Sequence, residues 1–501
     1  MKIRINNTYC QLIIGGVDYL ADPDMNISLR NYMSVAVPGA FFSPQYKKQQ
    51  WDGKRYFITP KGKMATGFLP LLLKYIEEVY PDLRIEFFDE RGDIPKFKDE
   101  FVAEIGSLEI DEEYEHQKRM IQSYSSYVTY HDTRIYFPRG IMNAATNAGK
   151  TAAIMGIYLN LERETKMLIL IHRKVIFNQL YLMLGELIGF EKIGRFNDKL
   201  YDIRPVTIAM IKTVYNRLGD SINVKKDLAQ FEVVAVDECH LAGSKTYSKV
   251  LQNIEAPIRL FVSGTPFDSD AIINKMVAIG LSGPEVVNVS KRELMDKGIS
   301  LEVKIHMHLC NTVALGKTIV YRDYIDQLIH YSVQRVKIMG QIIKDYKGTS
   351  TLIAVEEIAH GQTILKLLSQ YFALDDDPPV IDFVYGEDPA RDDKIQRFSY
   401  GEINVLISTC IMKEGINIPI VNNLIYAVGE KAKIDIKQWM GRIERRFKNT
   451  KQATMHDFYD IGKYVEAHSR KRIRTYRNEA LEVIEHYNRE EIRKIKNLLD
   501  N

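Results

Sequence analysis

Apolar and polar positions change rhythm along the chain. From residue 1 to about 105 the apolar runs are short and broken by turn residues. This stretch reads as short strands and turns, with one helical period over residues 69–78. An acidic stretch at 104–115 marks a boundary. Beyond it, apolar runs at 167–171, 206–210, 233–236 and 260–263 predict strands, and 151–161 and 175–187 predict helices between them. That alternation predicts a mostly parallel sheet with helices on both faces. A second series follows, with strands at 351–355, 380–384, 405–408 and 424–427 and helices at 324–346, 361–371, 390–400 and 434–445. The pattern is thus that of two α/β domains in tandem, with the weakly alternating 301–309 bridging them. Residues 470–501 read as a terminal helix with Leu481, Ile484, Ile492, Ile495 and Leu499 partly on one face. There is no low-complexity tract and no short-period repeat.

Composition changes this picture little. The chain has 501 residues, 46% of them hydrophobic, which suits roughly two to four domains with large cores. A net charge of +3 neither requires nor excludes a nucleic-acid partner, so the placement of charge matters more. Residues 470–477 carry five positive charges, while Glu109, Asp111, Glu112, Glu113 and Glu115 form an acidic, solvated linker face. Cys10, Cys239, Cys310 and Cys410 are scattered, with no metal-ligand spacing and no disulfide framework. The start of the chain has no signal-peptide pattern, and no apolar run is long enough to span a bilayer. The expectation is a reducing cytoplasm and no membrane partner.

Two short strings carry chemistry. Ala144-Ala145-Thr146-Asn147-Ala148-Gly149-Lys150-Thr151 has the shape of a phosphate-cradling loop that opens a helix. Backbone N–H groups of such a loop point at an anion, and small residues let it approach. Lys150 is placed for the β- and γ-phosphates and Thr151 for a magnesium ion, with Thr146, Asn147, Ala148 and Gly149 forming the cradle. Asp237-Glu238-Cys239-His240 follows the apolar run 233–236, at the carboxyl end where open α/β sheets bind ligands. Asp237 would hold the metal and Glu238 would accept a proton from the attacking water. By themselves, a Gly-Lys-Thr turn and an Asp-Glu turn also occur as ordinary helix starts and solvated loops. Their order, with strands between, favours the nucleotide reading.

Taken together with further strings, the chain resembles superfamily 2 helicases and translocases, with the motifs in that family's order. Tyr114-Glu115-His116-Gln117 resembles the element that reads adenine, with Gln117 in that role. His172, Arg173 and Gln179 after 168–171, then 207–213 including Thr213, resemble strand-gripping elements. His240 ends motif II, and Ser263-Gly264-Thr265-Pro266 resembles motif III, whose Ser263 and Thr265 the resemblance makes a link between ATP state and strand grip. Ile407-Ser408-Thr409 through Glu414-Gly415-Ile416-Asn417 resembles motif V, and Gln438, Gly441, Arg442 and Arg445 match motif VI. Departures are Ala144 for the usual first glycine, Asn417 where Asp is common, and Cys239. Within this family the likeness is to UvsW-type phage helicases, carried by Phe42-Ser43-Pro44, Trp51-Asp52-Gly53-Lys54 and Gly67-Phe68-Leu69.

The resemblance implies two tandem RecA-like parallel-sheet domains with a small α+β N-terminal accessory domain. Boundaries are expected at 1–105, 106–298, 299–465 and a basic C-terminal helix over 466–501. It implies ATP and Mg2+ as cofactors, with Gln438 near the nucleotide and Arg442 and Arg445 completing the site. Arg173, Thr213 and Thr409 are the implied nucleic-acid contacts. Trp51 and Lys54 either stack on bases and hold phosphates or belong to a core; the 470–477 run either follows a phosphate backbone or is a solvated helix face. The function expected is an ATP-dependent DNA helicase that remodels forks and four-way junctions. It would be a phage protein in the host cytoplasm, acting as a monomer, with recombination or replication proteins as partners. The alternatives are an RNA helicase, a restriction-type duplex translocase, or a non-catalytic ATP-gated binding protein.

Overall fold

The computed structural model describes every residue except 14–22, 106–107, 110–113, 220–221, 265–271, 311–320, 410–420, 422, 430–435, 437–438, 441–442, 444–451, 463, 480 and 501. Contacts divide the chain into two units, Met1–Ser290 and Lys291–Asn501. Among the described residues, no helix is long and apolar enough to cross a membrane.

The first unit is built on an eight-stranded sheet. Its order is Tyr201–Asp202, Ile193–Phe196, Val206–Met210, Met167–Ile171, Val233–Asp237, Ile258–Ser263, Arg139–Ala144 and Glu285–Val289. Neighbours are parallel, apart from the short Tyr201–Asp202 edge. Met167–Ile171 is buried throughout, which is why it reads as an unbroken apolar run. Parallel strands share one carboxyl edge, and the loops that begin at residues 145, 172, 238 and 264 all leave from it. Helices Lys150–Leu159 and Lys174–Ile188 lie within two residues of their expected ends.

Residues before 105 form a small sheet ordered Lys63–Ala65, Tyr9–Ile13, Lys2–Ile5 and Glu86–Asp89, joined by helix Leu69–Val79, which buries Leu69, Leu72, Leu73 and Ile76. They have no separate core. One apolar cluster runs from Ile3, Leu12 and Leu72 through Phe137 and Ile141 to Leu168, Val236 and Ile279. A Cβ on Gly67 would collide with the carbonyls of Ile279 and Gly280, so glycine permits the close approach of helix Ile272–Leu281.

The second unit holds a seven-stranded, all-parallel sheet. Its order is Ile381–Val384, Val405–Ser408, Thr351–Ala354, Asn423–Tyr426, Gln452–Asp460, Glu302–Cys310 and Glu482–Glu485. The stretch expected to bridge the domains, 301–309, is instead a strand of this sheet. It pairs with Gln452–Asp460 along its length, because Val303, Ile305 and Met307 need the core face that pairing gives. The long helix expected over 324–346 is broken. Tyr321–Ile325 passes into a π turn at Asp326–His330, and Ser332 then caps Val333–Asp345 through the Arg335 N–H. The terminal helix expected over 466–501 is a helix, a strand and a helix: Val465–Asn478, Glu482–Glu485 and Arg489–Asp500. It belongs to the second unit because Ile473, Tyr476 and Leu481 enter that unit's core.

Candidate active site

The phosphate loop joins strand Arg139–Ala144 to helix Lys150–Leu159. Asn147 and Gly149 both adopt positive φ, 71° and 77°, which turns the loop back on itself ahead of the helix. The Lys150 ammonium arches over it and donates to the carbonyls of Ala144 and Ala145, each at 3.3 Å. Gln117, on helix Glu115–Gln122, lies against the loop; a Cβ on Gly149 would collide with its amide. The Asn147 side-chain N–H2 is buried without a hydrogen-bond partner. An orphan donor in a loop of this shape fits an anion such as a triphosphate.

Strand Ile258–Ser263 lies between the loop's strand and Val233–Asp237, and it sets the distance between the two motifs. A Cβ on Gly264 would sit 3.1 Å from the Ala144 carbonyl and 3.6 Å from Lys150 Nζ. The backbone at 264 thus abuts the loop from the side. Glu238 has φ 56°, an uncommon conformation for a non-glycine residue, and it turns the carboxylate back toward its neighbours. The Ser263 hydroxyl donates to Glu238 Oε2 at 3.3 Å, and His240 Nδ1 lies 3.1 Å from the same oxygen.

Electrostatics separates the two carboxylates. Surrounding protein, then the Glu238 charge beside it, raise the Asp237 carboxyl, against the opposing pull of Lys150. Burial also acts to raise Glu238, but the hydrogen bond and charge of His240, then the Lys150 charge, hold it below its ordinary value. Burial and the adjacent Arg173 bring His172 down to about 4, against the opposing pull of Glu238. Among the described residues Asp237 accepts only its neighbour's N–H, at 3.0 Å from Oδ1. A carboxylate crowded by protein and by a second anion, with the Thr151 hydroxyl available from the helix start, is a donor set suited to a hard divalent cation. Such a cation takes few protein ligands when phosphates supply the rest.

The other expected residues are placed as follows. Arg173 precedes helix Lys174–Ile188 and donates from Nε to His172 Nε2 at 2.5 Å. Thr213 is buried in helix Ile211–Arg217, and its hydroxyl donates to Asp198 at 2.6 Å. Thr409 is buried just past strand Val405–Ser408, and its carbonyl accepts from the Ser408 hydroxyl at 2.9 Å. Trp51 is half-buried with its indole N–H donating to the Lys54 carbonyl at 2.8 Å, and Lys54 Nζ reaches Asn31 at 3.3 Å. Thr265, Gln438, Arg442 and Arg445 lie outside the described residues, as does 414–417 of motif V. Within the helix expected over 434–445, Ile436, Trp439, Met440 and Ile443 are helical and buried in the second unit's core. Sequence reasoning placed Gly264 and His172 in motifs without giving either a role in the nucleotide site. Gly264 shows its role only through its neighbour in the sheet, and His172 only through its nearness to Glu238.

Comparison with known proteins agrees with this layout. Residues 15–86 match the family described as DNA helicase UvsW, N-terminal; 111–268 match Type III restriction enzyme, res subunit; 334–446 match Helicase conserved C-terminal domain. The ATP-dependent DNA helicase uvsW of Enterobacteria phage T4 is 23% identical over 460 residues, 86% of each chain. The DNA 3'-5' translocase XPB2 of Sulfurisphaera tokodaii is 23% identical over 351 residues, covering 62% of this chain and 75% of that one. A fragment of a putative HsdR subunit of a type I restriction enzyme from Vibrio vulnificus has a TM-score of 0.53 at 16% identity, covering 75% of this chain and 72% of that one, which speaks for the fold. The matched segments, in this order and with the two parallel sheets, support a superfamily 2 helicase with two tandem RecA-like folds. Within that class the chain is UvsW-like, since the N-terminal segment of that group precedes both helicase segments.

Proposed function

We propose that this chain couples ATP hydrolysis to the unwinding and remodelling of branched DNA, at forks and four-way junctions, in recombination, repair or replication. One observation carries the chemistry: Lys150, Asp237, Glu238, Ser263 and Gln117 converge on one loop at the carboxyl edge of one sheet. Lys150 and the loop N–H groups would bind the phosphates, and Gln117, which lies against Gly149, would read the adenine amino group. Thr151 and Asp237 would hold Mg2+, which when bound neutralises charge on the transferred phosphoryl group. Glu238, kept anionic by His240, is the base for the attacking water. Ser263 touches that base, so it is the residue through which motif III senses the nucleotide. Arg442 and Arg445, with Gln438, belong to the proposal on the family resemblance, as do Arg173, Thr213 and Thr409 as strand contacts. Also on that resemblance, the setting is a phage-infected bacterial cytoplasm and the working form a monomer.

The test is ATPase activity measured with single-stranded, duplex, forked and four-way DNA and with structured RNA, for the wild type and Glu238→Gln. Forked and four-way DNA should stimulate the wild type most. Glu238→Gln should lower kcat by about 10²- to 10⁴-fold while still binding ATP. Stimulation by RNA alone, or an unimpaired Glu238→Gln enzyme, would overturn the reading.

A further inference from the structure

The basic run at 470–477 is sorted by the fold. Arg472 turns inward, where its guanidinium meets Asp457 at 2.8 Å and the carbonyls of Gly429 and Phe458, each at 2.7 Å. Its charge is neutralised inside the second unit. Arg470, Arg474 and Arg477 instead follow an i, i+4, i+7 spacing along the exposed face of helix Val465–Asn478. Helix Arg489–Asp500 presents Arg489, Arg493 and Lys496 with the same spacing. The two stripes line one open cleft of about 690 Å³, with Tyr459 and Tyr487 also in its wall, their rings 5.0 Å apart.

Two carboxylates pair with three of these six cations. Glu466 takes Arg470 and Lys496, at 2.7 and 2.8 Å, and Glu485 takes Arg477 at 2.6 Å. Arg474, Arg489 and Arg493 have no carboxylate partner among the described residues. A chain whose net charge is only +3 thus gathers six cations around one groove. Two like-charged stripes facing each other repel, and a polyanion between them relieves that repulsion. Each stripe extends about 10 Å along its helix, which suits successive phosphates of a strand better than a single one. Guanidinium forks hold a phosphate backbone without reading sequence.

We propose that this cleft is a sequence-independent binding site for the sugar–phosphate backbone of DNA, additional to the strand contacts of the helicase motifs. The identity of the polymer rests on the function proposed above; the cleft itself rests on its charge and geometry. The test compares the full chain with the triple variant Arg474→Gln, Arg489→Gln, Arg493→Gln, all exposed side chains. A control variant, Lys337→Gln, Lys366→Gln, Lys494→Gln, removes equal charge from exposed positions outside the cleft. Binding of labelled DNA and of labelled RNA without nucleotide is measured across a salt series, alongside thermal stability and ATPase without polymer. The cleft variant should melt like the wild type, keep its polymer-free ATPase, bind DNA about 10-fold or more weakly near 0.1 M salt, and show a shallower log–log salt dependence by about two to three counterions. The control should bind within about 2-fold of the wild type. DNA binding and salt slope unchanged in the cleft variant would overturn the site, as would equal weakening in the control. Inorganic tripolyphosphate binding that the variant loses while DNA binding stays intact would also overturn it. If RNA rather than DNA drives the wild-type ATPase, the reading of the polymer fails; the cleft is then judged by whether the variant loses RNA.

Discussion

Gly149 concentrates two constraints at one atom. Its φ of 77° disfavours any side chain, and a Cβ there would run into the Gln117 amide. Gly149→Ala should therefore weaken ATP binding about 10-fold or more, since the left-handed conformation alone costs an L-residue about 1–2 kcal/mol. Adding Gln117→Ala removes the collision and leaves the backbone constraint, so the double variant should recover part of the thermal stability that Gly149→Ala loses, measured by calorimetry, but not its ATP affinity, because the adenine contact proposed for Gln117 goes with the side chain. A Gly149→Ala protein with native affinity would show that the loop is not held in this conformation. At this scale the sequence was largely legible. The loop and the Asp237-Glu238 pair are contiguous strings whose order implies their chemistry. What was illegible is contact across the sheet: nothing local to Gly264 or His172 says that one abuts Ala144 and the other stands beside Glu238.

Elements were legible where burial on both faces writes an apolar run, as in Met167–Ile171 and Val233–Asp237. They were obscure where polar groups are buried with distant partners. Strand Gln452–Asp460 holds Asp457 and Asp460 inside because Arg472 and Arg335 meet them there, the second from 125 residues away. Arg139–Ala144 carries Arg139, Gly140 and Asn143, so neither its composition nor its period announces a central strand. The same polar burial gives the second sheet a sensitivity to acid. His306 and His308 on Glu302–Cys310, His456 on the neighbouring strand and His486 after Glu482–Glu485 stack with ring centroids 4.8–5.2 Å apart. Burial, then His486 and His306, push His308 down to about 4, against weak opposing pulls from Asp457 and Asp345; His306 and His456 are lowered as well. Unfolded, each imidazole takes a proton near pH 6.5. The contribution of neutral His306, His308 and His456 is thus complete above about pH 6.5 and is lost as pH falls from there toward 4. Denaturant unfolding between pH 6.5 and 5 should be less steeply pH-dependent in His308→Gln than in the wild type, by up to ~1.4 kcal/mol per pH unit. Equal slopes would show that His308 protonates freely in the fold.

For the molecule as a whole, the sequence suggests a detachable N-terminal module, and the first unit argues otherwise. Phe68, Leu69, Leu72, Leu73 and Ile76 lie in the same apolar cluster as Phe137, Leu168 and Val236. Arg139, fully buried, donates to the carbonyls of Ser282 at 2.5 Å, Leu281 at 3.0 Å and Asn7 at 2.8 Å, so one cation ties the first turn of the chain to the end of helix Ile272–Leu281. Removing residues 1–105 would strip several large side chains from this core and leave Arg139 short of an acceptor. Each emptied Leu or Ile site costs about 2–5 kcal/mol, and an uncompensated buried cation adds to that. Together these exceed the about 5–15 kcal/mol by which a domain is stable. A chain starting at residue 106 should consequently fail to bind ATP or to melt cooperatively, as read by nucleotide titration and calorimetry. Loss of DNA binding on such a deletion would then report unfolding and not recognition. The module's contribution to DNA is better measured with Lys54→Gln and Arg55→Gln, whose side chains lie outside the shared core. A truncated chain that binds ATP normally and melts within about 3 °C of the full one would establish the opposite: an independent first lobe whose N-terminal sheet is only an attachment.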